Sequence, residues 1–314
     1  MEDARERPRP AEAGYAIQPF ARLGVSEVLQ HYEELTFPPV ARRLAVRPAE
    51  GEWRGALAVG PGGPVGLALL ELGGRGGGGT AQLFSLAVAP SHRRRGVGTA
   101  LVAAAEGLAG DAGAREIEGA YRTSWRSREA IEALLRSRGW SPPETRLVLA
   151  RGESGFARRF LRAPAPRLPP EAEIFSWDEL TEAEREAILE RQRDDPWYPD
   201  VLTPFQEEPR LEPTVSVGLR WRGAVAGWMI CHRVAFDTLQ YSALFLRDDL
   251  RGSGLGRALL RDAVRRRLAD PDIRHTILAV DARNTPVRAW LEQAAPRYLA
   301  GISELRVSRK GLAG

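Results

Sequence analysis

Two short stretches of this chain combine arginine and glycine at matching positions. The first is Arg93-Arg94-Arg95-Gly96-Val97-Gly98; the second, 158 residues further on, is Arg251-Gly252-Ser253-Gly254-Leu255-Gly256. Each follows an apolar run (Leu83 to Val88; Tyr241 to Leu246) and opens an amphipathic helical pattern. Glycines between a strand and a helix let successive backbone N–H groups turn toward one point, where the helix start adds partial positive charge. Arginines beside them bring planar forks of further donors. The chemistry this suits is the holding of a pyrophosphate, and its repetition implies two copies of one fold.

Other glycine-rich phosphate loops fit less well. A Rossmann fingerprint needs a third glycine where Leu101 or Leu259 stands. A P-loop needs Gly-Lys-Ser/Thr, and Lys310 is the sole lysine of the chain.

The elements that must carry the two loops follow from patterning. In the first half, Ala16 to Phe20 reads as a strand and Ser26 to Leu35 as a helix. Trp53 to Val59 and Val65 to Leu72 read as strands joined by the turn Pro61-Gly62-Gly63-Pro64. Gly73 to Gly79 is a glycine-rich connection. Thr80 to Val88 is the strand entering the first loop, and Val97, Leu101, Ala104 and Leu108 mark one face of the helix leaving it. Ile117 to Tyr121 is a strand and Ser127 to Ser137 a helix; Leu147 to Ala150 would close the first sheet.

Arg151 to Glu171, with Pro164, Pro166, Pro169 and Pro170, reads as a linker. The order then restarts. Glu173 to Trp177 is a strand, and Thr181-Glu182-Ala183-Glu184 is a capping box opening a helix. Thr214 to Arg220, Ala224 to Val234 and Thr238 to Leu246 read as strands. After the second loop and helix come a strand over Thr276 to Val280, a helix over Pro286 to Ala294, and a strand over Leu299 to Val307. Asp194 to Arg210, with Trp197-Tyr198, either walls a substrate pocket or packs as a surface loop. Strand-rich runs with few helices predict an α+β fold in each half.

Composition narrows the function class. Hydrophobic residues make up 43% and charged residues 27% of 314, as in soluble globular domains, and the length suits two of them. No apolar run reaches the roughly 18 residues of a membrane span. Met1 to Gly14 is charged and lacks the apolar segment of a secretory signal, so it reads as a tail. Cys231 alone excludes an internal disulfide and suits the cytoplasm, and the four histidines have no metal-ligand spacing. The net charge of +4 is spread among acids rather than gathered into a stripe, which argues against nucleic acid.

The run from Leu86-Ala87-Val88 through Pro90 and Arg93-Arg94-Arg95-Gly96-Val97-Gly98-Thr99 to Leu101 resembles the acetyl-CoA motif of the GNAT family of N-acetyltransferases. The run from Leu244-Phe245-Leu246 through Arg251, Gly252, Gly254, Gly256 and Arg257 to Leu259 resembles it again, with Asp248 in place of the proline. The likeness covers about 15–150 and 173–308. It implies a tandem of two GNAT-like domains, each a mixed, mostly antiparallel sheet flanked by helices: a tail over 1–14, an N-terminal domain over 15–150, a linker over 151–172 and a C-terminal domain over 173–314. It also implies an enzyme moving an acetyl group from acetyl-CoA to the primary amine of a small molecule or peptide by direct attack, without metal. The protein would be monomeric or homodimeric, with one half free to degenerate.

By that resemblance, Leu86, Ala87, Val88, Leu244 and Leu246 would lie along the pantetheine arm. Arg93 to Thr99 and Arg251 to Arg257 would hold the phosphates, and an amide near Leu86 or Leu244 would stabilise the oxyanion. The thiolate acid of many members, a tyrosine, is replaced by Leu134 or Leu135 and by Leu291. Candidates for the base are Glu118 and Tyr121 in the first half, and Tyr241, Asp281 and Asn284 in the second. The competing function is a non-catalytic acyl-CoA-binding sensor or scaffold.

Overall fold

A computed structural model describes residues 14–20, 52–72 and 79–312. The expected helix over Ser26 to Leu35, the tail, and nearly all of the glycine-rich connection lie outside the described residues. The chain forms two units, residues 1–146 with 305–314, and residues 147–304. Each is a mixed sheet carrying helices, an α+β arrangement.

The first unit is built on β1 (Ala16–Phe20), β2 (Glu52–Gly60), β3 (Gly63–Leu72), β4 (Thr80–Val88) and β5 (Glu116–Arg122), side by side in chain order. Pairing is antiparallel except between β4 and β5, which are parallel. A parallel pair needs a crossover; α1 (Val97–Asp111) supplies it, entered through the first arginine–glycine loop. Its buried face is Val97, Leu101, Val102, Ala105 and Ala109, with Ala104 and Leu108 only partly covered. After β5 comes α2 (Arg128–Ser137), then the strand β6 (Glu144–Glu153).

The expected closure of the first sheet by Leu147 to Ala150 does not occur. Those residues lie in the second unit, paired antiparallel with β11 (His275–Asp281). The partner of β5 is instead β12 (Gly301–Gly311), through Leu305 to Gly311. The reason is charge and burial together. Arg306, Arg309 and Lys310 on β12 meet Glu132, Glu118 and Glu106 at 3.2, 2.8 and 2.7 Å, whereas apolar Val148 and Ala150 pack with Val280 and Leu291. Burial pushes the Glu106 carboxyl upward, but hydrogen bonds from Arg138, Lys310 and Trp140 outweigh it and hold the group below its ordinary range.

In the second unit, β7 (Ala172–Ser176), β8 (Val217–Trp221), β9 (Ala224–Ala235), β10 (Thr238–Leu246), β11 and β6 lie in that spatial order. Only β10 and β11 are parallel within it. The crossover is α5 (Leu255–Arg267), reached from the second loop. The linker expected over 151–172 is largely structured. Arg151 to Glu153 belong to β6, and Ser154–Arg162 forms helix α3, whose Ala157, Phe160 and Leu161 face the core. Arg261 donates to the carbonyls of Phe160, Leu161 and Ala163 and so satisfies the helix end.

Helix α4 (Glu182–Asp194) opens on the capping box, Thr181 and Glu184 exchanging hydrogen bonds. The Trp197-Tyr198 stretch after it packs onto the core of the second unit. The Gln192 side chain accepts from both amides, and Trp197, Tyr198, Trp228 and Phe245 form one aromatic cluster. The last helix is α6 (Thr285–Tyr298).

Candidate functional site

The same two features recur in each unit: a pair of parallel strands that part, and a loop with free amides at the head of the crossover helix. In the first unit the β4–β5 ladder ends at Leu83 opposite Gly119, although β4 continues to Val88 and β5 to Arg122. In the second it ends at Tyr241 opposite Leu278, with β10 continuing to Leu246 and β11 to Asp281. Beyond those points a wedge opens between the strands. Gly119 stands at the first apex because a Cβ there would lie 3.3 Å from the Trp140 ring.

Each wedge wall also carries a bulge. Phe84 is the extra residue between Leu83 and Ser85 in the ladder with β3, and Ser242 is its equivalent between Tyr241 and Ala243 in the ladder with β9. The Ala89 amide donates to Val65 and the Arg247 amide to Ala226. Because antiparallel hydrogen bonding alternates by residue, the amides of Leu86 and Val88, and of Leu244 and Leu246, point away from those neighbours and toward the wedge.

The first loop is built to present N–H groups. A turn over Pro90–His92 leads to Arg94 at φ +63° and Gly96 at φ +78°. Both are in the left-handed region, which an arginine adopts only under constraint. Among the described residues no acceptor meets the amides of Arg94, Arg95, Gly96, Val97, Gly98 or Thr99; the first helical bond runs from Ala100 to Gly96. The three arginines are exposed. Arg93 donates to the Val88 carbonyl at 2.9 Å and Arg95 to the Tyr15 hydroxyl at 3.4 Å. No carboxylate stands among residues 89–105.

The second loop repeats the backbone but not the charge. Gly252 and Gly254 lie at φ +77° and +87°. The amides of Gly252, Gly254, Gly256 and Arg257 meet no acceptor among the described residues, while that of Leu255 donates to Ser253 Oγ at 3.3 Å. Here the arginines are already engaged. Arg251 pairs with Asp248 at 2.8 Å, Arg247 grips Asp249 with two bonds of 2.6 and 2.9 Å, and Arg257 reaches the Pro164 carbonyl at 3.5 Å. A dianion approaching this loop must compete with two carboxylates; among the described residues, no salt bridge or hydrogen bond ties a first-loop arginine to a carboxylate.

The base candidates are held for other purposes. Glu118 is 5% exposed and its two oxygens receive Arg146 and Arg309, both at 2.8 Å. Tyr121 is buried and donates to Glu132 at 3.1 Å; burial and then that carboxylate push its hydroxyl up to about 12. Tyr241 lies in the second core, where burial raises its hydroxyl well above the ordinary phenol range. Asp281 is chelated by Arg283. Asn284 is exposed and its side-chain oxygen accepts from the Val287 amide at 3.3 Å, capping α6. Each of these groups thus already has a hydrogen-bond partner or a buried setting within the fold. Cys231 is fully buried, and burial raises its thiol. Of the leucines in place of the family's tyrosine, Leu135 and Leu291 are core residues, and Leu134 reaches to 3.4 Å from where a Gly98 Cβ would sit.

Patterning did not single out Tyr15. Its hydroxyl lies 2.9 Å from His92 Nδ1 and accepts from Arg95, tying the start of β1 to the first loop. A tyrosine alternating with Ile17 carries no local mark of such a contact. Among the described residues, no group of three His, Cys, Asp or Glu side chains is placed to hold a metal, and no helix is long and apolar enough to cross a membrane.

The model of the Acetyltransferase (GNAT) family matches residues 23–140 and again 176–295. Among solved structures, a tandem GNAT protein from the clavulanic acid biosynthesis pathway is similar with TM-score 0.65 and 18% identity, over 96% of this chain and 99% of its own. The glucosamine N-acetyltransferase region of a fungal multi-domain GH3 β-N-acetylglucosaminidase gives 0.62 at 16% identity, over 96% of this chain and 38% of that one. A GCN5-related N-acetyltransferase from Sphaerobacter thermophilus gives 0.60 at 18% identity, over 95% and 96%. At such identities the likeness concerns the fold. No curated protein matches the sequence.

Proposed function

The chain belongs to the GNAT family of acetyltransferases, and on that premise we propose that it transfers an acetyl group from acetyl-CoA to a primary amine, with the coenzyme held by the first unit. The observation that carries this reading is the first loop: amides from Arg94 to Thr99 that meet no acceptor among the described residues, three exposed arginines, and no acid within residues 89–105 of the sequence, set beside the β4–β5 wedge. The pyrophosphate would lie on those amides with Arg93, Arg94 and Arg95 around it. The pantetheine arm would run along Leu86, Ala87 and Val88, and the Leu86 amide would meet the oxyanion. In the second unit the corresponding groups are Leu244, Leu246 and the loop Arg251, Gly252, Gly254, Gly256 and Arg257. Acidic Asp248 and Asp249 make it the weaker site.

Attack requires a neutral amine, and amines of pKa near ~10 are mostly protonated at pH 7. With Glu118, Tyr121, Tyr241 and Asn284 engaged, the proton would leave through water in the wedge. A thiol of pKa ~8.5 departs without a strong acid, which suits the leucines in the usual tyrosine position. The engagement of all those candidates also favours a second reading, a non-catalytic acyl-CoA sensor or scaffold. Acetyl-CoA titration by calorimetry, followed by thiol release over a panel of small-molecule and peptide amines, separates the two. Binding with release supports the enzyme, binding without release supports the sensor, and no binding refutes both.

A further inference from the structure

His232 on β9 is 6% exposed, and its ring is fixed at both nitrogens. Nε2 lies 2.8 Å from the backbone carbonyl oxygen of Gln206. A carbonyl only accepts, so Nε2 carries the proton, and in the neutral imidazole Nδ1 is then an acceptor. Ser242 Oγ lies 2.6 Å from Nδ1 and must donate to it. The alternative acceptor for that hydroxyl, the Gln240 carbonyl at 3.4 Å, is too distant to compete. A hydroxyl donating to an imidazole whose far nitrogen is anchored by a third group is the arrangement that activates a nucleophile.

The place of Ser242 adds a second observation. It is the bulged residue of β10, unpaired across the ladder to β9, and it follows directly on Tyr241, the last residue paired with β11. It therefore stands at the apex of the second wedge, half-buried, two residues before Leu244, whose amide points into that wedge. The bulge itself belongs to the repeated fold, since Phe84 occupies the same place in the first unit; what is particular to the second is a hydroxyl at that place, facing a histidine whose tautomer a loop carbonyl sets.

We propose that Ser242 is an acylatable nucleophile with His232 as its base, able to take an acyl group from a thioester or activated ester. Ser242 Oγ forms a bond to the carbonyl carbon and gives its proton to His232 Nδ1. The bond from that carbon to the leaving sulfur or oxygen breaks, and the leaving group takes the proton from Nδ1. The product is an acyl ester on Ser242 and a free thiol or alcohol. An amine then attacks the ester carbon, and Oγ leaves with a proton returned through Nδ1. A coenzyme A thioester as donor to Ser242 would require coenzyme at the second loop, Arg251 to Arg257, and so is separate from the transfer proposed for the first unit; the reactivity of the pair toward an activated ester does not depend on either.

The test uses the whole protein and 4-nitrophenyl acetate as probe, followed by peptide mass mapping and by nitrophenol release. The expected result is one acetyl group on the peptide holding Ser242. His232→Gln should slow its formation about 100-fold, the lower end of what a positioned base contributes, and Ser242→Ala should abolish it. Wild-type protein that stays unmodified at Ser242, or is modified there equally fast in folded His232→Gln, overturns the proposal. Should Ser242→Ala fail to fold, the wild-type map and the folded Ser242→Gly variant still decide. Acetyl-CoA calorimetry on the same sample reads the transferase proposal separately. Coenzyme binding without the ester sinks the nucleophile alone, and the ester without coenzyme binding sinks the coenzyme reading alone.

Discussion

Placing a carboxylate in the first loop should separate folding from coenzyme binding. Gly98 is the second residue of α1, and a Cβ there would meet only the Leu134 side chain at 3.4 Å and Val88 at 3.8 Å. Gly98→Glu therefore fits. Leaving glycine inside a helix gains about 0.5–1 kcal/mol, and an acid in the first turn gains roughly 0.3–1 kcal/mol more from the helix dipole. The melting temperature should hold or rise. Yet the new charge would sit among the free amides of Arg94 to Thr99. One unit charge about 5 Å from a phosphate charge, at an effective dielectric of about 20, costs about 3 kcal/mol. Acetyl-CoA affinity should fall about 100-fold. Gly256→Glu, in the loop already carrying Asp248 and Asp249, should change it less than about threefold if the first unit holds the coenzyme. Calorimetry at fixed ionic strength with a parallel thermal melt reads both quantities. A folded Gly98→Glu protein that binds like wild type refutes the pyrophosphate assignment, and a loss confined to Gly256→Glu moves the coenzyme to the second unit.

Two further outcomes concern the frame. Lys310→Met removes one of the donors to buried Glu106 and should cost the first unit about 2 kcal/mol, roughly 4–8 °C in a melt; Lys310→Arg should recover most of it, and no difference between the two would refute the role given to that ion pair. The Arg220 hydrogen bond, aided by Thr181, holds the Glu184 carboxyl at about 2. A folded-state value below the unfolded one stabilises above the ordinary carboxylate range, and that stability fades as pH falls toward the folded value. The gap in melting temperature between wild type and Glu184→Gln, worth about 1 kcal/mol after solvent screening, should be full at pH 7 and shrink from about pH 4.5 downward. A gap independent of pH would contradict this.

Features set by neighbouring residues were legible beforehand. The arginine–glycine loops, the Pro61 to Pro64 turn between β2 and β3, and the capping box at Thr181 each depend on contacts a few residues long. The four prolines of the expected linker all lie after Arg162, which leaves Ser154 to Arg162 free to lay Ala157, Phe160 and Leu161 on the core. The bulges were invisible for a different reason. Leu239, Tyr241, Ala243 and Phe245 alternate as if on one face, but the bulge at Ser242 sends the first two to one core and the last two to another.

The catalytic candidates show the same boundary. Glu118 and Tyr121 have the right chemistry at the right strand end, and nothing nearby in the chain marks them as spoken for. Their partners, Arg146 and Arg309 for one and Glu132 for the other, come from other elements; Arg309 lies 191 residues from Glu118. The order of residues alone was enough to establish the two arginine–glycine loops and most of the strands and helices around them, because backbone turning and helix starts are local. Which strand completes each sheet, which acids are neutralised, and which hydroxyl meets a histidine were settled only by tertiary packing, because burial makes a charge or a proton answer to whatever lies across the fold.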